Sequence, residues 1–197
     1  MSRAGYLLAG GRSMRMGQDK ALLPLRGRPL AAHMAGVVAD AAGSAVLVGD
    51  PARLSSLGFP VIPDTWPGAG PLGGIATALR HSAAQWNLVL ACDMPRVTPA
   101  FLLQLFGWAE ASGCDCLLPA GPSGRPEPLC AIYHARCLPA LAAALARGIR
   151  KVTAATAATR MEIRRIDDDA VFQNCNTPEE WSAYIREDAA PGDLDGA

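Results

Sequence analysis

The feature that most constrains the fold is a regular alternation, along nearly the whole chain, of short apolar runs with longer segments of helical periodicity. Residues 87–91 form one such run, with the length and composition of a strand that is buried on both faces. Strands that alternate with helices are typical of βαβ units and of a largely parallel sheet. We therefore predict an α/β fold: a single three-layer, Rossmann-like domain whose sheet is mostly parallel but mixed.

The boundaries of the predicted elements follow from this periodicity and from capping residues. The predicted strands are residues 3–8, 45–48, 60–62, 87–91, 114–118, 129–133 and 161–166. The predicted helices are residues 29–43, 75–82, 98–112, 138–147, 152–158 and 177–188. Thr98 and Thr177 each precede a proline and predict capped helix N-termini. A length of 197 residues suits one domain, predicted at residues 1–188, with a disordered tail at 189–197.

The charge balance argues against several classes of partner. The formal net charge is +0 and no basic run stands out, so we expect no binding to nucleic acid or to a membrane.

The apolar stretch at residues 6–9 is too short for a signal peptide or a membrane span, which favours a cytoplasmic protein. The six cysteines lack CxxC spacing and are predicted to be small buried thiols.

A glycine-rich segment, LAGGRSMRMGQDKALLP at residues 8–24, directly follows the first predicted strand. Glycines allow the backbone to approach an anion closely, and N–H groups in such a turn can cradle phosphate oxygens. The segment matches neither the GxGxxG fingerprint nor a Walker loop. Arg15 and Lys20 can both reach phosphate oxygens, and Lys20 stands out because the chain has only two lysines. The alternative is that Lys20 forms an exposed ion pair with Asp19.

Asp93 follows the predicted strand at 87–91 in the motif ACDMP. In open α/β sheets ligands bind outside the carboxyl ends of the strands. One carboxylate at such a position can hold Mg²⁺ together with substrate phosphates, so Asp93 is the candidate metal ligand. The alternative is that Asp93 caps the turn above Pro95.

Three further segments carry candidate residues. Asp64 precedes the glycine-rich residues 67–74, and the N-terminus of the helix that follows suits an anion or a ribose, although an ordinary surface turn is the alternative. Asn174 and Asn176 share a face if the segment NCNTPEE is extended, although asparagines in turns are usually structural. Arg125 lies in the loop AGPSGRPEP, for which a flexible exposed loop is the alternative.

Taken in order, the motifs LAGGRSMRMGQDK, VIPDTWPGAGPLGGI, LACDMP and NCNTPEE resemble those of the molybdenum cofactor guanylyltransferases, the MobA-type family. The resemblance spans nearly the whole chain, whereas the first motif alone would indicate only the wider nucleotidyltransferase group. It implies a nucleotidyltransferase-type domain that uses GTP and Mg²⁺. The implied reaction converts molybdopterin, bearing molybdenum or tungsten, into its guanine dinucleotide form and releases pyrophosphate.

The resemblance also implies roles for the candidate residues. Lys20 and Arg15 would neutralise charge on the phosphates, and Asp93 would bind both Mg²⁺ and nucleotide. The nucleotide-binding positions implied in this way are Leu8, Ala9, Gly10, Gly11, Lys20, Asp64, Pro71, Leu72, Gly73 and Asp93. The acceptor-binding candidates are Asn174, Asn176 and Arg125.

The details of the motifs favour guanine and leave alternatives open. Gly11 and residues 71–75 are similar to the guanine-using members of the group. Gly49 and Asp50 stand where relatives often carry an asparagine, and residues 125–128 differ from the His-Pro form of some relatives. One alternative is a cytidylyl- or uridylyltransferase acting on a pterin or sugar phosphate, and another is a non-catalytic GTP- or cofactor-binding carrier. The protein partners expected from the resemblance are molybdenum-insertion proteins and apo-molybdoenzymes.

Overall fold

The computed structural model describes residues 1–10 and 19–189. The strands are β1 (Arg3–Leu8), β2 (Pro24–Leu25), β3 (Arg28–Pro29), β4 (Val46–Val48), β5 (Val61–Ile62), β6 (Trp86–Ala91), β7 (Cys116–Ala120), β8 (Cys130–His134) and β9 (Met161–Arg165). The helices are α1 (Leu30–Ala42), α2 (Pro51–Leu54), α3 (Pro71–His81), α4 (Pro99–Ser112), α5 (Leu138–Ala146), α6 (Val152–Ala155) and α7 (Pro178–Ala189). This order confirms the predicted elements, and it adds the β2–β3 hairpin and the short α2.

One sheet of seven strands runs through the molecule in the order β5-β4-β1-β6-β8-β7-β9. β1 pairs in parallel with β4 and with β6, and β7 pairs in parallel with β9. β8 is antiparallel to both of its neighbours, β6 and β7. The prediction of a mostly parallel but mixed sheet is therefore confirmed. All six residues of β6 are buried, as its continuous apolar run predicts.

Apolar side chains cover both faces of the sheet. Leu7 and Leu88 belong to the cluster that packs under α1 and α4. Tyr6 and Val89 belong to the cluster that packs under α3, α5 and α6. Consecutive residues of a strand point to opposite faces, so the central strands β1 and β6 contribute to both clusters. The predicted three layers are thus confirmed.

Helix α3 begins at Pro71, one turn earlier than the predicted start at residue 75, so this predicted boundary was wrong. Glycines and prolines normally indicate a loop, but Pro is favoured at the first helical position. Both glycines of the first turn are closely packed: a Cβ on Gly73 would lie 2.8 Å from the carbonyl oxygen of Trp66, and one on Gly74 would lie 3.1 Å from Leu8 Cδ1. The first turn of α3 therefore lies directly against the end of β1.

Asp115 lies just before β7 and connects this strand to the segments that contain Arg136 and Arg160. Its carboxylate accepts hydrogen bonds from the backbone N–H of Arg160 at 2.9 Å, from the guanidinium of Arg160 at 3.2 Å and from the guanidinium of Arg136. Burial raises the pKa of Asp115, but the hydrogen bonds from Arg160 and Arg136 outweigh burial and lower the pKa to about 2. The folded structure therefore favours the ionised carboxylate.

The remaining predictions concern the cysteines, the membrane and the tail. All six cysteines are free and buried, which confirms the prediction made for them. Within residues 1–10 and 19–189, no helix has the length and apolar character needed to cross a membrane. Helix α7 ends at Ala189, the first residue of the predicted tail, and residues 190–197 lie outside the described residues.

Candidate active site at the carboxyl ends of β1 and β6

The candidate site lies where the chain leaves two central parallel strands. Leu8 at the end of β1 is in register with Ala91 at the end of β6, and the backbone N–H of Cys92 donates to the carbonyl oxygen of Leu8 at 3.2 Å. From β1 the chain continues to β4 and β5 on one side, and it then returns to β6 on the other. A reversal of this kind opens a crevice at the carboxyl edge, where ligands of doubly wound sheets bind.

Lys20 lies in the 3₁₀ turn Lys20–Leu22 and reaches Asp93, just beyond the carboxyl end of β6. Its neighbour Asp19 caps that turn, since Oδ1 of Asp19 accepts from the backbone N–H of Ala21 at 3.2 Å. The other oxygen of Asp19 pairs with the guanidinium of Arg53. Lys20 is only 8% exposed and its ion pair is with Asp93. The alternative of an exposed Lys20–Asp19 pair was therefore wrong.

Three residues far apart in the sequence meet at this position, and we call Lys20, Asp93 and Asn176 the Lys20 cluster. The ammonium of Lys20 donates to Asp93 Oδ2 at 3.2 Å and to Asn176 Oδ1 at 2.7 Å. The backbone N–H of Cys175 donates to the carbonyl oxygen of Asp93 at 3.1 Å, which joins the segment before α7 to the end of β6. The side chain of Asp93 is 24% exposed, so its carboxylate is accessible to a ligand.

A capping box fixes the position of Asn176. Glu180 Oε2 accepts from the backbone N–H of Asn176 at 2.6 Å and from that of Thr177 at 3.1 Å. In return Thr177 Oγ1 accepts from the backbone N–H of Glu180 at 3.2 Å. The predicted cap at Thr177 is thus confirmed. Because Glu180 holds Asn176, and Asn176 holds Lys20, the start of α7 contributes to the orientation of the ammonium.

Cys92 adjoins Asp93 but is chemically inert in this state. Burial raises the pKa of its thiol to about 12, and the neighbouring carboxylate of Asp93 acts in the same direction. A thiol with such a pKa stays protonated at neutral pH, and the thiolate is the nucleophilic form. Cys92 therefore serves as an apolar side chain at the strand end.

Asp64 anchors the loop that leads into α3. Its Oδ1 accepts from the backbone N–H of Trp66 and from the hydroxyl of Thr77, both at 2.9 Å. The same hydroxyl oxygen accepts from the backbone N–H of Thr65 at 2.9 Å. One carboxylate oxygen of Asp64 thus has a structural role, and it fixes the loop beside the crevice.

The other positions implied by the resemblance divide into accessible and buried ones. Gly10 and Pro71 are exposed, whereas Ala9 and Gly73 are buried. Leu72 is fully buried in the core, so its side chain packs inside the protein. Gly11 and Arg15, predicted at the centre of the first loop, lie outside the described residues.

Asp50 is engaged elsewhere. Its Oδ1 accepts from the backbone N–H of Ala52 at 2.9 Å and caps α2. A Cβ on Gly49 would lie 2.7 Å from Leu54 Cδ1, so a larger residue there would displace the Leu54 side chain. The departure from the asparagine of some relatives thus coincides with a local structural role for both residues.

A second concave region, which we call the β7–β9 cavity, lies at the carboxyl ends of β7 and β9 and has a volume of about 500 Å³. Its lining residues are Gly121, Ser123, Arg125, Glu127, Asp169, Ala170, Phe172, Gln173 and Asn174. Two acceptor-binding candidates, Arg125 and Asn174, therefore share one cavity. The third, Asn176, belongs to the Lys20 cluster and not to the cavity lining, so the two asparagines that were expected to share a face have different surroundings.

Several cavity residues were not predicted from the sequence. Asp169 and Phe172 follow β9, and Gly121 follows β7, and no spacing in the sequence indicates that these two segments are neighbours. Gly121 is necessary for the contact, since a Cβ there would lie 2.2 Å from the Cβ of Asp169. The rule that ligands bind at carboxyl strand ends applies here too, but it needed the β7–β9 pairing, which only the structure shows.

The seven-stranded sheet and the helices packed on it form a Rossmann-like α/β fold of the nucleotidyltransferase type. The CMP:2-keto-3-deoxy-manno-octonic acid synthetase shares this fold, with a TM-score of 0.76 at 12% identity over 95% of this chain and 99% of that one. The MobA-like NTP transferase domain family matches residues 5–161, and the chain belongs to that family.

Two relatives agree with this assignment. The molybdopterin-guanine dinucleotide biosynthesis protein A from Archaeoglobus fulgidus has a TM-score of 0.82 and 28% identity, over 95% of this chain and 100% of that one. A probable molybdenum cofactor guanylyltransferase from Deinococcus radiodurans is 35% identical over 172 residues, which cover 87% of this chain and 88% of the relative. The resemblance read from the sequence motifs is thus confirmed.

Proposed function

We propose that the protein transfers GMP from GTP to the terminal phosphate of molybdopterin, giving the guanine dinucleotide form and pyrophosphate. The observation that carries the proposal is the Lys20 cluster, in which Lys20 lies within hydrogen-bonding distance of Asp93 at the crevice between β1 and β6. Membership of the MobA-like family, and the names of the two relatives, support guanine as the base and molybdopterin as the acceptor.

In this reaction an oxygen of the acceptor phosphate attacks the α-phosphorus of GTP. A P–O bond forms to the acceptor, and the P–O bond to the β-phosphate breaks as pyrophosphate leaves with the electron pair. The nucleophile is already anionic, so the enzyme needs no general base. Its task is to position the reactants and to neutralise charge on the leaving group. Lys20 offers a compact charge for that purpose, and Arg15 is proposed to assist it.

Mg²⁺ is the proposed metal, and Asp93 is the residue that would hold it. Among the described residues, no group of three or more His, Cys, Asp or Glu could form a metal cage. Mg²⁺ typically uses one or two carboxylates together with substrate phosphates and water. The accessible carboxylate of Asp93 fits that requirement, and a bound cation there would lower the charge on the phosphates.

The β7–β9 cavity is the proposed site of the acceptor, which carries molybdenum or tungsten. Arg125 supplies a cation and Asn174 an amide at its surface, suited to a phosphorylated heterocycle. At the crevice beside β1, Gly10 and Pro71 are accessible near the end of β1 and the start of α3, where we place the nucleotide. The Lys20 cluster would then lie between donor and acceptor.

We propose that the protein works in the cytoplasm, because its six free thiols fit a reducing compartment. Molybdenum-insertion proteins would supply the acceptor, and apo-molybdoenzymes would take up the product.

The decisive experiment is a pyrophosphate-release assay with purified molybdopterin, Mg²⁺ and each of the four NTPs in turn. We expect release with GTP alone. Equal release with CTP would replace guanylyl transfer by cytidylyl transfer. GTP binding without any release would indicate a non-catalytic carrier.

A further inference from the structure

The β7–β9 cavity combines one cation with several hydrogen-bond acceptors that have different access to water. Asp169 is exposed, and water can solvate its carboxylate. Glu127 is half-buried, and burial is the main cause of the rise in its pKa above the ordinary value for a glutamate. Among the described residues, its carboxylate accepts one hydrogen bond, from the backbone N–H of Leu129 to Oε1 at 3.2 Å. A half-buried carboxylate with so few partners has capacity for further donors.

Asn174 provides a second acceptor with unused capacity. Its Oδ1 is buried and has no hydrogen-bond partner among the described residues. A buried carbonyl without a donor is unfavourable, and most such groups in folded proteins are satisfied by protein, water or ligand. Asn174 and Glu127 line the same cavity. Two acceptors of this cavity therefore have unused capacity, and a ligand that presents N–H groups to them would satisfy both.

The pterin ring has the required donors. Its pyrimidine half carries an N3–H and a 2-amino group side by side, and the two point in the same direction. The two oxygens of a carboxylate match such a pair, as they match the two donors of a guanidinium. A volume of about 500 Å³ is within the usual range for small heterocyclic ligands.

On the basis of the proposed function, we propose that Glu127 is the residue that selects the acceptor by its heterocycle. Its carboxylate accepts hydrogen bonds from N3–H and from the 2-amino group of the pterin. Asn174 Oδ1 accepts a further N–H of the same ring system. Asp169, at the exposed rim, contributes charge but not this recognition.

The test compares two pteridines that differ at one position. Pterin has a 2-amino group, and lumazine has a carbonyl oxygen in its place. The affinity of the full chain for each is measured by fluorescence titration at neutral pH, with saturating GTP present so that neither pteridine occupies the guanine site. Wild type should prefer pterin by about tenfold or more, because lumazine would place an oxygen against the carboxylate.

The variant Glu127→Gln keeps the shape of the side chain and replaces one acceptor by a donor. Its amide can pair with the carbonyl and N3–H of lumazine. The affinities for pterin and lumazine should therefore become about equal, or the preference should reverse. Asp169→Asn is the matched control, since it removes a charge from the same cavity, and its preference should stay within about twofold of wild type. Unchanged GTP affinity in both variants verifies the fold.

Several outcomes would overturn the inference: equal affinity of wild type for the two pteridines, no binding of either one, an unchanged preference in Glu127→Gln, or the same change in Asp169→Asn. These outcomes differ from a failure of the proposed function. Loss of the pterin preference in Glu127→Gln would support the recognition role even if wild type released no pyrophosphate from GTP and molybdopterin.

Discussion

Replacing Lys20 by Met tests the central element of the proposed site. The change keeps most of the length of the side chain and removes the ammonium, which donates to Asp93 and Asn176. We expect the variant to fold. Asp93 loses its partner but keeps access to water, so the loss in the free energy of unfolding should not exceed about 2 kcal/mol.

The effect on catalysis follows from the position of the charge. A unit charge about 4 Å from a phosphate oxygen contributes about 4 kcal/mol at an effective dielectric constant of about 20. Asp93 Oδ2, at 3.2 Å from the ammonium, offsets part of that field. If about two-thirds of the interaction energy between the ammonium and the phosphate remains, Lys20 contributes about 2.7 kcal/mol. Its removal then corresponds to a loss of roughly 100-fold in kcat/KM for GTP.

The assay is pyrophosphate release at saturating molybdopterin, with thermal unfolding measured in parallel. The chain offers a matched control in its second lysine: Lys151 is exposed at the start of α6, and Lys151→Met should keep kcat/KM within about twofold of wild type. Lys20→Arg should recover only part of the loss, because a planar guanidinium does not fit a nearly buried point between two acceptors. A Lys20→Met variant with kcat/KM within about threefold of wild type would refute the role of this charge.

Three further predictions follow from the described contacts. Asp93→Asn should lower turnover on the order of a hundredfold at physiological Mg²⁺ without a change in the fold, and near-normal turnover in a steady-state assay would remove Asp93 from the metal site. Glu180→Ala should lower kcat about tenfold, because it releases the backbone of Asn176 and disorders the partner of Lys20, and full activity at an unchanged melting temperature would show that the cap does not act on the ammonium. The pKa of about 2 for Asp115, against an ordinary value of 3.8, means that ionised Asp115 stabilises the fold above pH about 4 and that this contribution disappears as the pH falls towards 2. Since its guanidinium partners are partly exposed, its size should be about 1 kcal/mol, measurable as a smaller acid-induced loss of stability in Asp115→Asn than in wild type.

Much of the architecture could be predicted because its causes are local. The continuous apolar run at residues 87–91 indicates a strand that is buried on both faces, and β6 is such a strand. Thr98 next to Pro99 predicts the start of α4, and the hydroxyl of Thr98 indeed accepts from the backbone N–H of Phe101 at 3.3 Å. Periodicity and capping depend on residues within one or two turns, so the sequence contains the whole signal.

The candidate site was only partly predictable. Lys20 is indicated by the glycine-rich segment after the first strand and by the rarity of lysine in the chain, and Asp93 is indicated separately by the rule for carboxyl strand ends. The ion pair between them, and the contact with Asn176, join residues 73 and 156 positions apart. No periodicity reports which distant segments meet, so the surface alternative with Asp19 could be rejected only in the folded molecule.

Tertiary packing decided the remainder. Residues 67–74 have the composition of a loop, yet α3 begins at Pro71 because Gly73 and Gly74 allow its first turn to approach Trp66 and Leu8. The β7–β9 cavity exists because β9 pairs in parallel with β7, which brings Asp169 beside Gly121. The sequence by itself determined most of the strands and helices and the two candidate residues Lys20 and Asp93, since these depend on short-range features. The order of the strands across the sheet decides which residues contact Lys20 and Asp93. It also decides the burial that leaves Glu127 and Asn174 with unused acceptors, and that order was set by the packing of the whole chain.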